Sequence, residues 1–250
     1  MNPLEIAAIA AAAVGAGALN TVVGSGSLLT FPVLLAFGIP PVSANVTNAI
    51  GLVPGTLSGT VGYRDELEGQ GRRIALLAGA AVLGGLCGSV LLLVLPPESF
   101  RMIVPYLILL AVALVIVQPW LARVMEERRR EGESHRPLLV VGVFLVAIYG
   151  GYFGGAQSVL MIGLLGVLLK DDLQRLNALK NLLSVLTNAT AAILFAFVAP
   201  VEWLAVVVIA IGSVAGGQLG AAIGQRLPEV VLRGAVAAVG LVAAALLFLS

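Results

Sequence analysis

Apolar residues run in long stretches along this chain, and polar residues fall mostly in the short gaps between them. Ten stretches can be read: 4–23, 27–38, 44–63, 74–95, 102–122, 138–155, 157–169, 177–199, 203–225 and 231–249. A helix needs about 20 residues, range roughly 17–25, to cross the hydrocarbon core of a bilayer. Eight of the ten stretches meet that length, while 27–38 and 157–169 are too short to span upright. The pattern predicts an all-α polytopic membrane protein with about ten membrane segments, eight long and two short or broken.

The two short stretches occupy corresponding places, which suggests an internal repeat. Gly24-Ser25-Gly26-Ser27 lines up with Gly154-Gly155-Ala156-Gln157, and Asn45-Val46-Thr47-Asn48 with Ala178-Leu179-Lys180-Asn181. Farther on, Gly84-Gly85-Leu86-Cys87-Gly88 lines up with Gly216-Gly217-Gln218-Leu219-Gly220, and Pro97-Glu98 with Pro228-Glu229. The spacings agree: 24 and 27 residues from the first glycine to Asn48 or Asn181, then 36 and 35 to the glycine pair, then 13 and 12 to the proline. The expected organisation is a first repeat at 1–122, a charged linker at 123–137 and a second repeat at 138–250. Five segments per half would turn the second half upside down relative to the first, the inverted-repeat plan of many secondary transporters.

Composition supports a bilayer setting. Hydrophobic residues make up 60% of the 250 positions and charged residues 11%, against about half and a quarter in soluble domains. Mean hydropathy is +1.07. The first charge is Glu5, with no basic region before the first stretch, so 4–23 reads as a retained segment and not a cleaved signal. The net charge of +1 forms no basic patch outside the loops, which speaks against nucleic acid. Cys87 is the single cysteine and His135 the single histidine. Neither can build a metal or redox cluster, and no cofactor is implied.

Charge also gives a topology, because cytoplasmic loops collect Lys and Arg. The loop 123–137 carries Arg123, Arg128, Arg129, Arg130 and Arg136. If all ten stretches cross, Arg64, Arg72, Arg73, Lys170, Arg175 and Arg226 lie on the same side, with Arg101 alone among the loops opposite. If the short stretches instead leave by the side they enter, Lys170, Arg175 and Arg226 become external. Ten crossings are therefore expected, with loops 64–73 and 123–137 cytoplasmic.

Candidate chemistry sits at the breaks. Carriers of this plan bind substrate near the midplane, where interrupted helices expose backbone donors. Gly24–Ser27 and Gly154–Ser158 are such interruptions, and a helix N-terminus offers free N–H groups and about half a positive charge, which suits an anion. Tight helix packing is the competing reading of the same glycines. The next helix in each half opens on a polar cluster: Asn45, Thr47 and Asn48, then Asn177, Lys180 and Asn181. Thr56, Ser58, Thr187, Asn188 and Thr190 extend it. Lys180 could serve a site or snorkel to an interface. No Asp or Glu lies deep in any stretch, which counts against a cation substrate.

The run Asn20-Thr21-Val22-Val23-Gly24-Ser25-Gly26-Ser27-Leu28-Leu29-Thr30-Phe31-Pro32, followed by Pro40-Pro41-Val42-Ser43-Ala44-Asn45-Val46-Thr47-Asn48, resembles the first-half signature of the sulfite exporter TauE/SafE family. Pro54-Gly55, Gly62-Tyr63-Arg64, Gly150-Gly151-Tyr152-Phe153-Gly154-Gly155 and Asn177-Ala178-Leu179-Lys180-Asn181 continue the likeness over nearly the whole chain. The resemblance implies a bacterial inner-membrane permease for sulfite, sulfonates or other small organic anions, with export the commoner assignment. It implies anion contacts at Gly24, Ser25, Gly26, Asn45, Thr47, Asn48, Asn177, Lys180 and Asn181. The residue reading adds Ser27, Gly154, Gly155, Gln157 and Ser158. The expected partners are a small anion and the lipid bilayer, with a homodimer left open. A passive anion channel and an uptake permease for a small carboxylate are the alternatives. A membrane enzyme would need a nucleophile, base or metal cluster, and none is written into the stretches.

Overall fold

The computed structural model describes residues 1–22, 24–128, 136–223 and 229–249. Ten α-helices account for most of them: α1 Pro3–Val22, α2 Ser27–Ala36, α3 Pro41–Val61, α4 Gly71–Val94, α5 Pro97–Arg128, α6 Arg136–Tyr152, α7 Gln157–Leu168, α8 Leu173–Val198, α9 Trp203–Ile223 and α10 Glu229–Leu249. A 3₁₀ turn, Arg64–Leu67, follows α3. Prolines fix φ and remove a donor, so they suit first turns, and Pro41 and Pro97 open α3 and α5. Asp172 caps α8 by accepting the Gln174 N–H at 2.9 Å.

Four of the described helices are long and apolar enough to cross a membrane: α1, α4, α5 and α8. The large side chains left facing outward are apolar, among them Phe197 at 84%, Val94 at 74% and Met102 at 70% exposure. Such a surface is unstable in water and suits lipid. α5 continues through residues 123–128 of the expected linker, while 129–135, including Arg129, Arg130 and His135, lie outside the described residues. Arg226 and the Pro228 match lie outside them too.

The short stretches form helices of 10 and 12 residues. At 1.5 Å per residue these rise about 15 and 18 Å, half of a core about 30 Å thick. Each folds back along the helix before it. A Cβ on Gly15 of α1 would lie 3.1 Å from Leu29 of α2, and one on Gly26 would lie 2.3 Å from the Ala16 carbonyl. In the second half a Cβ on Gly142 would lie 2.6 Å from Leu164, and one on Gly150 would lie 2.2 Å from the Gln157 amide carbon. Both pairs are antiparallel hairpins with tips at the glycine breaks.

Exchanging the halves maps packing onto packing. The two most extensive helix pairs are α1 with α9 and α4 with α6, which are counterparts. So are α3–α9 and α4–α8, α1–α2 and α6–α7, α2–α10 and α5–α7. The correspondence reaches single residues. A Cβ on Gly84 would sit 2.5 Å from the Phe144 carbonyl, and one on Gly216 would sit 1.9 Å from the Val14 carbonyl. Val14 and Phe144 stand the same number of residues before Gly24 and Gly154. Only hydrogen fits at these crossings, so the helix backbones touch.

Side chains tie the connections together. The α7–α8 connection meets the α3–α4 connection: Asp171 accepts from Arg73, pairs with Arg175 at 3.1 Å, and Arg175 donates to the Glu68 carbonyl at 3.0 Å. Gln70 donates to the Arg175 carbonyl at 3.1 Å. Near the start of α3, the Glu202 N–H donates to Thr47 Oγ1 at 3.0 Å, which holds the α8–α9 connection.

Candidate functional site

The hairpin tips meet. Gly24 and Gly154 have φ of +81° and +78°, a region that costs a side chain about 1–2 kcal/mol. Each donates its N–H to the carbonyl five residues back, Leu19 at 2.9 Å and Tyr149 at 3.3 Å, which stops α1 and α6. A Cβ on Gly24 would lie 2.6 Å from Ser158 Cβ, so the first break abuts the start of α7. Side chains hold the turns: Asn20 accepts the Gly26 N–H at 2.7 Å, and Tyr149 donates to the Gly155 carbonyl at 2.6 Å. Ala156, just before α7, is the one non-glycine residue with positive φ among the described residues, at 55°.

A cavity of about 860 Å³, counting its open mouth, lies where the tips meet. α3 supplies Asn45, Asn48, Ala49, Leu52, Gly55, Thr56 and Gly59, and α8 supplies Asn181, Asn188, Ala191 and Phe195. The tips contribute Asn20, Gly24 and Ser27 on one side and Gly154, Gln157 and Ser158 on the other. Asn45 and Asn48 are buried, whereas Thr56, Gly59 and Tyr63, nearer the α3–α4 connection, are part-exposed. Among the described residues, none that lines the cavity carries a formal charge.

The lining is rich in donors. Asn48 accepts from Thr30, and Asn45 donates to the Tyr152 carbonyl at 2.9 Å, which ties α3 to both hairpins. Asn48 keeps its NH₂ group as a further donor on the cavity wall. Gln157 is 2% exposed, and neither its oxygen nor its nitrogen has a hydrogen-bond partner among the described residues. A buried amide left unsatisfied costs about 1–3 kcal/mol, so Gln157 is the lining side chain with the most unmet hydrogen-bonding capacity among the described residues. Ser27 and Ser158 lie in the first turns of α2 and α7, where the N–H groups of Leu28, Leu29, Gln157, Val159 and Leu160 are taken by the carbonyls of Ser25, Gly26, Gly154 and Ala156.

Of the fourteen residues expected from sequence, the structure gathers Gly24, Ser27, Asn45, Asn48, Gly154, Gln157, Ser158 and Asn181 around this cavity. Six are not on its wall. Ser25 is buried with its hydroxyl unpartnered. Gly26 packs on the Ala16 carbonyl. Thr47 is spent on Glu202, and Gly155 lies under the Phe153 ring. Asn177 is half-buried away from the cavity. Lys180 is 9% exposed, next to Asn181 in sequence but absent from the lining, and has no ion pair among the described residues. The sequence reading did not single out Asn20, Tyr63 or the aromatic wall of Phe153 and Phe195 as site residues. Asn20 carried a signal, an amide at the end of an apolar run just before a break. The two phenylalanines carried none, because aromatic residues in apolar helices are ordinary.

Outside the cavity, Asp171 has a perturbed carboxyl group. Partial burial pushes its pKa up, but the hydrogen bond from Arg73, the Asp172 N–H and the charges of Arg73 and Arg175 outweigh this and hold it below the ordinary aspartate value. Among the described residues no group of His, Cys, Asp and Glu could hold a metal ion.

The chain is similar to known membrane proteins. The chain is 26% identical over 246 residues to the probable membrane transporter protein YfcA of Escherichia coli, covering 94% of this chain and 89% of that one. It is 28% identical over 204 residues to a probable membrane transporter protein of Haemophilus influenzae, covering 81% and 78%. No solved structure matches. The family model described as "Sulfite exporter TauE/SafE" matches residues 9–247. Together with the apolar helices, that match makes this an integral, multi-pass membrane protein of a transporter family, and the chain belongs to the sulfite exporter TauE/SafE family.

Proposed function

We propose that the protein is a secondary carrier of small anions such as sulfite, sulfonates or other organic sulfur acids, working by alternating access in the bacterial inner membrane, most naturally as an exporter. The observation that carries this reading is the buried, unpartnered amide of Gln157 at a polar cavity where two helix starts converge. Gln157 and Asn48 offer N–H donors to ligand oxygens, and Ser27 and Ser158 add hydroxyls on the same wall. Family membership and the transporter names of the relatives point the same way.

Exchange-symmetric packing supports an inverted repeat with its axis in the membrane plane and the two hairpin tips meeting inside the bilayer. Ten full crossings are not needed for the charge pattern. In each hairpin the short second helix returns to the side from which the first one entered, so Lys170 and Arg175 remain with Arg64, Arg72 and Arg73. The contact of Asp171 with Arg73 fits that arrangement, and the positive-inside rule makes this the cytoplasmic end. The part-exposed Thr56, Gly59 and Tyr63 then make the cavity inward-facing.

The test is uptake of labelled sulfite by proteoliposomes preloaded with unlabelled sulfite. A carrier accelerates exchange when substrate is present on the far side, and a channel does not. Gln157→Leu should lower exchange by at least about tenfold while leaving thermal stability equal or higher, since it removes an unsatisfied buried amide. Wild-type rates in that variant would remove Gln157 from the pathway. Exchange indifferent to internal substrate would favour the channel.

A further inference from the structure

We infer that Asn20 and Gln157 are equivalent residues, through which each hairpin tip presents one carboxamide to the transported oxyanion, and that Gly150 is a positioning residue that keeps open the slot Gln157 fills. This rests on the anion-carrier reading above and specifies how the two halves share the ligand.

The tips can be compared by counting from their positive-φ glycines. Gly24 and Gly154 each donate an N–H to the carbonyl five residues back, so they end α1 and α6 in the same way. Four residues before them stand Asn20 and Gly150, and three residues after them stand Ser27 and Gln157. Each tip therefore holds one carboxamide and one small residue, in opposite order. The first half carries its amide on the helix that ends at the break, and the second half carries it on the helix that begins there. All four residues line the cavity.

Packing shows the two amides in the same place relative to their turns. In each tip the amide crosses to a glycine on the other arm. A Cβ on Gly26 would lie 2.9 Å from Asn20 Cγ. A Cβ on Gly150 would lie 2.2 Å from Gln157 Cδ, 2.3 Å from its Oε1 and 2.6 Å from its Nε2, and these are its three nearest neighbours. The space beside Gly150 is thus the space of the Gln157 side chain. Asn20 spends its oxygen on the Gly26 N–H at 2.7 Å and keeps its NH₂ group as a donor on the wall. Gln157 has no partner for either amide atom among the described residues. An oxyanion has several acceptor oxygens, so one NH₂ group from each tip can hold it against both halves at once. A second amide in either tip would have no room, because interiors are already close-packed.

The test moves the amide of the second tip to the position it has in the first. Gln157→Ser, Gly150→Asn and the double variant are compared with wild type by labelled-sulfite exchange in proteoliposomes and by thermal melts in detergent. Gln157→Ser should lower exchange by at least about tenfold. Gly150→Asn alone should melt below wild type, because two amides then compete for one slot. The double variant, which copies the Asn20 and Ser27 arrangement, should regain both the wild-type melt and exchange within about threefold of wild type. A purely structural role for Gly150 would restore the melt alone. A double variant that melts like wild type but exchanges as poorly as Gln157→Ser overturns the equivalence and leaves Gln157 in the pathway. Gly150→Asn melting with wild type, or a double variant melting no higher than Gly150→Asn, overturns the slot. Absence of exchange by the wild type itself overturns the carrier reading, and this inference with it.

Discussion

Replacing Gly88 by alanine tests the backbone crossings on which the cavity rests. A Cβ at this position would lie 2.0 Å from the Ile148 carbonyl oxygen, 2.9 Å from its carbon and 2.8 Å from the Tyr152 nitrogen. Carbon–oxygen contacts settle near 3.3–3.6 Å, so α4 and α6 must part by more than an ångström. All three obstructing atoms are backbone, and no side chain can rotate out of the way. Overpacking of this kind costs about 1–3 kcal/mol. The effect should also reach the cavity, because the carbonyl of Tyr152 accepts the Asn45 amide. Gly79→Ala on the same helix is the control, since nothing lies within 4 Å of the added carbon. Exchange of glycine for alanine in a helix gains up to about 1 kcal/mol, so the control should melt at or above the wild-type temperature. Both variants are followed in detergent by the fluorescence of Trp120 and Trp203 during heating. If Gly88→Ala melts with Gly79→Ala, the helices are not in backbone contact and the packing account fails.

Two further outcomes follow from particular bonds. Thr30→Val removes the donor to Asn48 and leaves a buried amide oxygen unpaired, which should cost about 1–3 kcal/mol, whereas Thr30→Ser should restore most of it; thermal melts of the pair decide. The carboxyl of Asp171 titrates below the ordinary aspartate value, so its contribution is complete above that value and fades as pH falls through the folded-state pKa. Asp171→Asn should therefore flatten the acid side of a plot of melting temperature against pH, and an unchanged acid slope would show that the contact with Arg73 and Arg175 does not contribute to stability.

Periodicity and length were enough to find the helices, because lipid imposes a long apolar run wherever a helix crosses. The short runs at 27–38 and 157–169 became α2 and α7, and their matched positions signalled the hairpins. How the short runs pack was harder to read, because the sequence reading weighed ten full crossings against two re-entrant segments on loop charge alone, and that α2 and α7 fold back on α1 and α6 depends on contacts such as Gly26 on the Ala16 carbonyl. Asn48, Gln157 and Asn181 could be picked out because an amide in an apolar run is expensive unless it has work to do. The place of Lys180 could not, since neighbouring residues on a helix point in different directions and the sequence does not say which one faces the cavity. Thr47 shows the same limit: its hydroxyl looked like a ligand contact and instead holds the N–H of Glu202.

The glycine crossings join helices that are far apart in the chain. α1 lies against α9, and α4 against α6, so each half lends a helix to the other. The small-residue face of α1 therefore meets its backbone partner only once α9 has been made, so packing across the halves is completed late in synthesis.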